Sequence, residues 1–397
     1  MKQMNEASEY KFFAHRVETW NWLLGFAKSL HQHPERRKRW ICLSPVYWAI
    51  SVYWLFSSKG SDVVDTFSFS GVKGQIELLR NFFWHFIFAG ILRKFGSTWL
   101  WNKIKYRILN VVIATEKEAE ARGVHIALGL GAATKDQSLT QGGEWVLKKL
   151  EEMGVQLKYV SLLHGDTLTA AGVIKMALAL IRKFHIKTSV FVSGSTSKIG
   201  RPLVILLAKA GVNVKMLTGD QERFETIKAE AGEYGKFLTR AKSLKEGADC
   251  LFWITGKALP RNKKLLRHIP KGAVVMNFSV PNPLSEKVLK RRPDVYAVEG
   301  GLAHYNANMT SQTFLMRCKS GETYWCHVGT AVHAHNGWTH HEVGPVDLKQ
   351  LPVVWKAARE LGFSLLPLPA RVKVTEEAVA PVRWIKQPVT VLRNLFF

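Results

Sequence analysis

Between residues 124 and 298, short uninterrupted apolar runs take turns with longer stretches whose apolar residues recur every three or four positions. The runs at 124–130, 157–163, 189–193, 212–217, 250–255, 273–279 and 295–298 predict strands buried on both faces. The periodic stretches at 114–122, 142–153, 167–184 and 221–232 predict helices. A further helix ends at Ala210 and carries Ile199, Leu203, Val204 and Leu207 at helical spacing, with Gly211 as its stop. Such alternation predicts an α/β fold, a Rossmann-like parallel sheet with flanking helices.

The pattern before residue 110 is different. A basic run at 31–39 (HQHPERRKR) leads directly into the uncharged, Trp-rich stretch at 40–56 (WICLSPVYWAISVYWLF). That stretch sits at the lower length limit for a spanning helix, and Pro45 is placed to kink it. A second apolar run at 81–92 is too short to span and is flanked by Arg80, Arg93 and Lys94, the profile of an interfacial segment. The expectation is an N-terminal helical membrane-associated region. The alternative is a pair of core helices in a soluble domain. No cleavable signal peptide is expected, because the opening residues are polar and mixed in charge.

The most informative turn lies between the strand at 189–193 and the helix ending at Ala210. Gly194, Ser195, Thr196, Ser197, Lys198 and Gly200 form a small-residue crossover of the kind that opens a helix toward a phosphate. Gly194 permits a sharp turn and Gly200 a close helix. Ser197 stands where a dinucleotide fingerprint has its middle glycine, and its Cβ narrows the approach to phosphate. The turn reads either as a nucleotide cradle or as a tight βα turn that binds nothing. Thr218, Asp220 and Arg223 close the next strand; Arg223 favours a 2′-phosphate and so NADP, whereas Asp220 suits a free ribose hydroxyl.

Composition narrows the field further. The chain of 397 residues is 47% hydrophobic with 14 Trp and 21 Phe, enough to bury a sizeable core. A formal net charge of +25 suits nucleic acid or an anionic membrane. No zinc-finger spacing, RNA-binding aromatic motif or regular basic stripe accompanies it, so no nucleic-acid partner is expected. Cys42, Cys250, Cys318 and Cys326 show no paired spacing, which fits a reducing, cytosol-facing environment.

The densest polar chemistry lies at 322–344, ETYWCHVGTAVHAHNGWTHHEVG. Three readings compete for Cys326, His327, His333, His335, His340, His341 and Glu342. A metal site needs ligands on one face, yet His333 and His335 share a face only on a strand, and no metal is assigned. A thiolate at Cys326 with His327 beside it would attack a thioester. The third reading is a buried cysteine among structural histidines. None of the nine tyrosines has a lysine four positions later, which sets aside the short-chain dehydrogenase acid–base pair.

Several of these segments resemble a known family. GSTSKIGRPLVILLAKAGVNVKMLTGDQERFETIK, CHVGTAVHAHNGWTHHEVGPVDL and VVWKAARELGF are similar to the C-terminal half of plant very-long-chain aldehyde decarbonylases, the eceriferum or glossy wax-biosynthesis proteins. The block of Cys326, His327, Gly329, Thr330, His333, Gly337, Trp338, His340, His341 and Glu342 is its most specific part. LGLGAATKDQSLTQGGE, SLLHGDTLTAAGVI and the basic, aromatic stretch from Arg36 to Phe56 also resemble family segments. The resemblance implies lipid and wax biosynthesis on a fatty aldehyde. Family members usually begin with a membrane-bound hydroxylase domain whose histidine boxes hold a di-iron centre. This sequence has no such boxes; before residue 300 its one close pair is His31 and His33. A weaker resemblance, to cyanobacterial acyl-carrier-protein reductases, aligns Cys326 with an acylated cysteine and Gly194 to Gly200 with an NADPH turn.

Together these readings predict a membrane-associated, NAD(P)H-dependent long-chain fatty acyl thioester reductase, or reductase-like subunit, in fatty aldehyde and alkane (wax) biosynthesis. Cys326 and His327 would be its catalytic residues and NADP its cofactor. The alternative is a non-catalytic partner subunit of a di-iron aldehyde decarbonylase or hydroxylase complex. Expected partners are a long-chain acyl thioester or fatty aldehyde, membrane lipid, and a histidine-box di-iron membrane protein in a hetero-oligomer. The expected location is the endoplasmic reticulum membrane with the α/β part in the cytosol. Expected domains are a helical region at 1–110, a first α/β lobe at 111–187, a dinucleotide-binding domain at 188–300 and a Cys/His-rich segment at 301–397.

Overall fold

The computed structural model of the chain describes residues 9–13, 61–69, 72–79, 96, 98–131, 134–256, 267–279, 291–305, 310–311 and 321–368. Two compact units share them. The first is built from Met1–Gly165 and Tyr305–Pro345, the second from Asp166–His304 and Val346–Phe397. The segment 301–397 is therefore divided between the two.

In chain order the first unit supplies β1 (Glu9–Phe13), β2 (Ser61–Phe69), β3 (Val72–Leu79), α1 (Trp99–Arg122), β4 (Ile126–Leu130), α2 (Glu144–Glu152) and β5 (Val160–Leu163). The second continues with α3 (Asp166–Lys183), β6 (Val190–Ser193), α4 (Gly200–Lys209), β7 (Val214–Leu217), α5 (Gln221–Glu230), β8 (Leu238–Ala241), β9 (Phe252–Thr255), β10 (Val274–Asn277), β11 (Tyr296–Glu299) and β12 (Leu302–His304). The chain returns to the first unit for β13 (Thr310–Ser311), β14 (Glu322–Tyr324) and α6 (Trp325–His335). It closes in the second with α7 (Gln350–Glu360) and β15 (Ser364–Leu365).

The first unit holds a mixed sheet in the order β13-β2-β3-β1-β4-β5. Strands β3, β1, β4 and β5 run parallel, while β2 and β13 add an antiparallel edge. Side chains alternate across it, as a strand period of two requires. Phe13, Ile126, Leu128 and Leu130 join Ile104, Ile108 and Val112 of α1 and Val146 and Leu150 of α2 in one core. Tyr10 and Phe12 take the other face, against α6. Glycines make that second layer possible. Tyr10 pairs with Gly74, where a Cβ would lie 1.9 Å from the Tyr10 ring. Phe12 pairs with Gly129, where a Cβ would lie 2.6 Å from the Phe12 ring and 2.2 Å from the Thr330 hydroxyl of α6.

The N-terminal helical membrane-associated region is not what the described residues form. Residues 9–13, 61–69 and 72–79 are strands. Their alternating patterns, as in TFSF and KGQIE, suit a half-buried sheet and not a helix. Helix α1 interleaves lysines and arginines with its apolar residues. No helix among the described residues is long and apolar enough to cross a membrane. The apolar runs at 40–56 and 81–92 lie outside the described residues.

The second unit holds a wholly parallel sheet in the order β11-β10-β9-β6-β7-β8. Renumbered from β6, that is 3-2-1-4-5-6 read from the β8 edge, the strand order of doubly wound nucleotide-binding sheets. Every residue of β6, β9 and β10 is buried, which explains their uninterrupted apolar runs. Helix α4 starts directly after the β6 turn and packs near β7, and α3 lies beside α4 and α7.

Candidate functional site

The turn after β6 is built as its glycines suggest. Gly194 adopts φ +80°, open to glycine at little cost. A Cβ on Gly200 would stand 2.1 Å from the Gly194 carbonyl oxygen, so α4 reaches its closeness to the strand only with glycine there. The hydroxyl of Ser197 accepts the Gly200 N–H at 3.0 Å, and the Ser197 N–H donates to the Gly194 carbonyl at 3.0 Å. Ser197 thus braces the helix start from within. Ser195 is buried and its hydroxyl donates to the Leu217 carbonyl at 3.4 Å, while Thr196 and Lys198 are partly exposed on the turn.

The end of β7 is equally self-contained. The Thr218 hydroxyl accepts the Asp220 N–H at 3.1 Å, and Asp220 caps α5 by accepting the Arg223 N–H at 3.0 Å. Arg223 itself is exposed. Sequence reasoning passed over Arg240 of β8, whose guanidinium donates to the carbonyls of Thr218 and Gly219 at 3.2 and 2.8 Å and to the Gln221 side chain. Further along the same carboxyl edge, Thr255 donates to Asn277 at 3.0 Å. Asn277 donates to the Ser279 carbonyl and to both carboxylate oxygens of Glu299, at 3.0, 3.4 and 3.2 Å.

Cys326 and His327 belong to the first unit, whereas Gly194 to Gly200, Thr218 and Arg223 belong to the second. Both lie at the start of α6, a helix in which nine of eleven residues are buried. Sequence reasoning left this stretch open because its alternating polar residues mask the helix. His327 is a packing residue. Its Nε2 pairs with the Tyr10 hydroxyl at 3.0 Å and its Nδ1 with the Thr323 hydroxyl at 3.1 Å. Its ring tilts against Tyr10 and Phe12, with centroids 5.4 and 5.2 Å away. Burial pushes its pKa down to about 3, so it is neutral and offers no positive charge to lower a thiol pKa. Cys326 is a buried cysteine that forms no disulfide. Its carbonyl accepts the Thr330 hydroxyl at 3.3 Å and lies where a Cβ on Gly165, itself at φ +63°, would come within 2.3 Å.

His164 and His341 both bond at the end of β5. The loop after α6 returns alongside that strand. The Glu342 N–H donates to the Leu162 carbonyl, and the His164 N–H donates to the Glu342 carbonyl, both at 2.9 Å. The same two residues meet through side chains, His164 Nδ1 standing 2.9 Å from Glu342 Oε1. The His164 side chain is 0% exposed and that of Glu342 is 17% exposed, so the pair is sealed on one side and open on the other. This contact holds the orientation of the His164 ring against the Glu342 carboxylate. Lys135 Nζ donates to the His164 carbonyl at 2.6 Å. His333 is fully buried, with its ring 4.7 Å from His340 and 5.5 Å from Trp338. Burial first, and the neighbouring His340 second, push its pKa down to about 3. Leu162 N–H donates to His341 Nδ1 at 3.1 Å.

Neither His164 nor Lys135 stood out in the sequence. The signal was there in LLHGDT, a polar residue and a glycine directly past a buried strand, where parallel sheets place ligand-facing groups. Among the described residues no group of three or more His, Cys, Asp or Glu side chains is placed to hold a metal ion. The described residues therefore do not fit a di-iron centre.

A family model described as the CER1-like, C-terminal domain matches residues 190–365. The very-long-chain aldehyde decarbonylase GL1-2 of Oryza sativa is 33% identical over 252 residues, which is 62% of this chain and 36% of that protein. GL1-1 of the same species is 34% identical over 242 residues, 59% of this chain and 36% of the relative. The very-long-chain aldehyde decarbonylase CER1 of Arabidopsis thaliana is 26% identical over 287 residues, 70% of this chain and 42% of the relative. The chain spans about a third to two fifths of the length of these curated relatives. A solved structure, the crystal structure of AibC, aligns at 14% identity over 43% of this chain and 48% of that one; its TM-score of 0.26 is too low to argue from. The relatives overturn the expected acyl thioester reductase. Their names specify aldehyde decarbonylation, a different reaction, and the thioester attack assigned to Cys326 and His327 falls with it.

Proposed function

Since the chain belongs to the CER1-like family, we propose that it serves long-chain fatty aldehyde conversion to hydrocarbon as a partner subunit of a histidine-box di-iron membrane protein. The observation that carries this reading is the 33% identity to an aldehyde decarbonylase over 252 residues, in a chain whose described residues include no metal-holding group. In this proposal the iron chemistry belongs to the partner. This chain contributes a folded body that docks on it at the endoplasmic reticulum membrane, with the α/β part in the cytosol.

Co-expression tests it. The chain together with a histidine-box partner should convert a long-chain aldehyde to alkane, measured by gas chromatography, and the two should co-purify. Alkane formation by this chain alone, with stoichiometric iron, would overturn the partner reading.

A second proposal concerns the second unit, where the strand order and the glycine turn favour NADP at Gly194 to Gly200. Against it stand Ser197, Asp220 and Arg240, each engaged by groups of the protein itself.

A further inference from the structure

The outer surface of α1 and α2 combines exposed aromatic rings with ammonium groups. Trp99 and Tyr106 are 66% and 46% exposed, and with Lys103 they occupy positions i, i+4 and i+7 of α1, one continuous stripe. Beside Tyr106 a depression of about 280 Å³ opens between the two helices, walled by Trp145 and by Lys105, Lys148 and Lys149. The aromatic rings and ammonium groups are interleaved. Lys103 Nζ sits 5.5 Å over the Trp99 ring and Lys105 Nζ 5.0 Å over the Trp145 ring, while Tyr106 meets Trp145 edge-on at 5.8 Å. A single glutamate, Glu152, lines the depression, and it is paired with Lys149 at 2.8 Å. Four lysines against one glutamate leave a local charge of +3 on a surface that also bares two large aromatic rings.

We propose that this α1–α2 face is a docking surface for an anionic phospholipid membrane. Trp and Tyr are the side chains that settle at the level of lipid headgroups, apolar body inward and polar tip outward. Lysines beside them meet the negative surface potential, and their aliphatic stems lie along the rings. A purely electrostatic partner would leave the Trp99 ring without a use. The sequence adds continuity, because the apolar run at 81–92 and the basic Arg93 and Lys94 precede Trp99 by only a few residues. The proposal stands apart from the aldehyde reading and does not depend on it.

Flotation of the purified full chain with vesicles tests it. Phosphatidylcholine vesicles containing phosphatidylserine should carry the chain upward more strongly than phosphatidylcholine alone, and added salt should weaken the difference. The Lys103→Glu/Lys105→Glu/Lys148→Glu variant should lose about tenfold or more of the binding to phosphatidylserine vesicles. The Trp99→Ala/Tyr106→Ala variant should lose several-fold on both vesicle types. Lys103, Lys148, Trp99 and Tyr106 are exposed, and a thermal melt matching the wild type would show that each variant folds. Wild-type binding by the lysine variant would overturn the proposal and assign membrane attachment elsewhere in the chain, as would equal flotation of the wild type on both vesicle types. Association of the chain with a soluble protein through this face, with no vesicle binding, would overturn it too.

Discussion

The two sheets handle buried polarity in opposite ways. The first admits titratable rings into its interior: His327 and His333 are each at least 98% buried, and His164 is sealed behind Glu342. The carboxyl edge of the second sheet is lined mainly by hydroxyl and amide groups. Ser195, Thr255, Asn277 and Ser279 sit there and bond one another, the backbone or the Glu299 carboxylate. Its buried Cys250 is held as a thiol by burial, which pushes its pKa up to about 12. A neutral network costs little over a wide pH range, whereas a buried imidazole ties the fold to its own protonation. The buried imidazoles that tie folding to pH between 7 and 5 therefore lie in the first unit.

Acid is the sharpest way to break that contrast. His327 and His333 have folded pKa values lowered to about 3 from 6.5, so the unfolded chain takes up their protons first as pH falls. Their stabilising neutrality is fully present above 6.5 and is lost progressively down to about 3. By about pH 5 each ring should cost ~2 kcal/mol, or ~4 kcal/mol together. Hydrogen exchange followed by mass spectrometry should show peptides over 126–130 and 325–335 losing protection between pH 7 and 5, after correction for intrinsic rates. Peptides over 190–193 and 252–255 should change less. Cys250 acts in the other direction, its contribution present below about pH 9 and lost toward 12. Equal loss of protection in both sheets at pH 5 would break the comparison.

The next effect is steric. Gly165→Ala places a methyl at φ +63° and within 2.3 Å of the Cys326 carbonyl, strain and collision together. It should destabilise the first unit by about 3 kcal/mol, measured by urea unfolding. Gly219→Ala, where nothing lies within 4 Å and φ is not positive, is the control in the second unit and should be nearly neutral. A smaller effect comes from Tyr10→Phe. It removes the hydroxyl partner of His327 Nε2 without changing the ring packing, and it should cost about 1–2 kcal/mol. A cost near zero would show that His327 finds another partner.

Much of the second sheet was legible because its strands are short, apolar and punctuated by glycine. Each of the runs at 189–193, 250–255 and 273–279 contains the observed strand, within one or two residues at each end. Strand β8 escaped because LTRA exposes Thr239 and carries Arg240, whose side chain is drawn to the end of the neighbouring strand. In the first sheet the runs at 124–130 and 157–163 contain β4 and β5, but β1, β2 and β3 were hidden for a different reason. β1 is five residues in a polar context, and its partners β3 and β4 lie more than sixty and more than a hundred residues away, as the pairings Tyr10–Gly74 and Tyr10–Ala127 show. The site shared that fate. Cys326 and His327 were visible as chemistry, but what decides the role of His327 is Tyr10, 317 positions distant. Local pattern cannot report a contact of that span. The Glu342–His164 pair is likewise made by a loop returning over a strand, and no spacing rule encodes it.

Where the family match begins has a consequence for how this protein is dissected. Residues 190–365 hold every strand of the second sheet, yet they also hold α6 while omitting β1, β3 and β4, the strands it lies on. What is inherited together as a recognisable stretch is thus not what can stand alone in solution. A fragment cut to those borders would carry a helix with Trp325, Val328 and Val332 facing water, and it would be expected to clump. Workers who want the second sheet by itself should remove 305–345, not trim at 190.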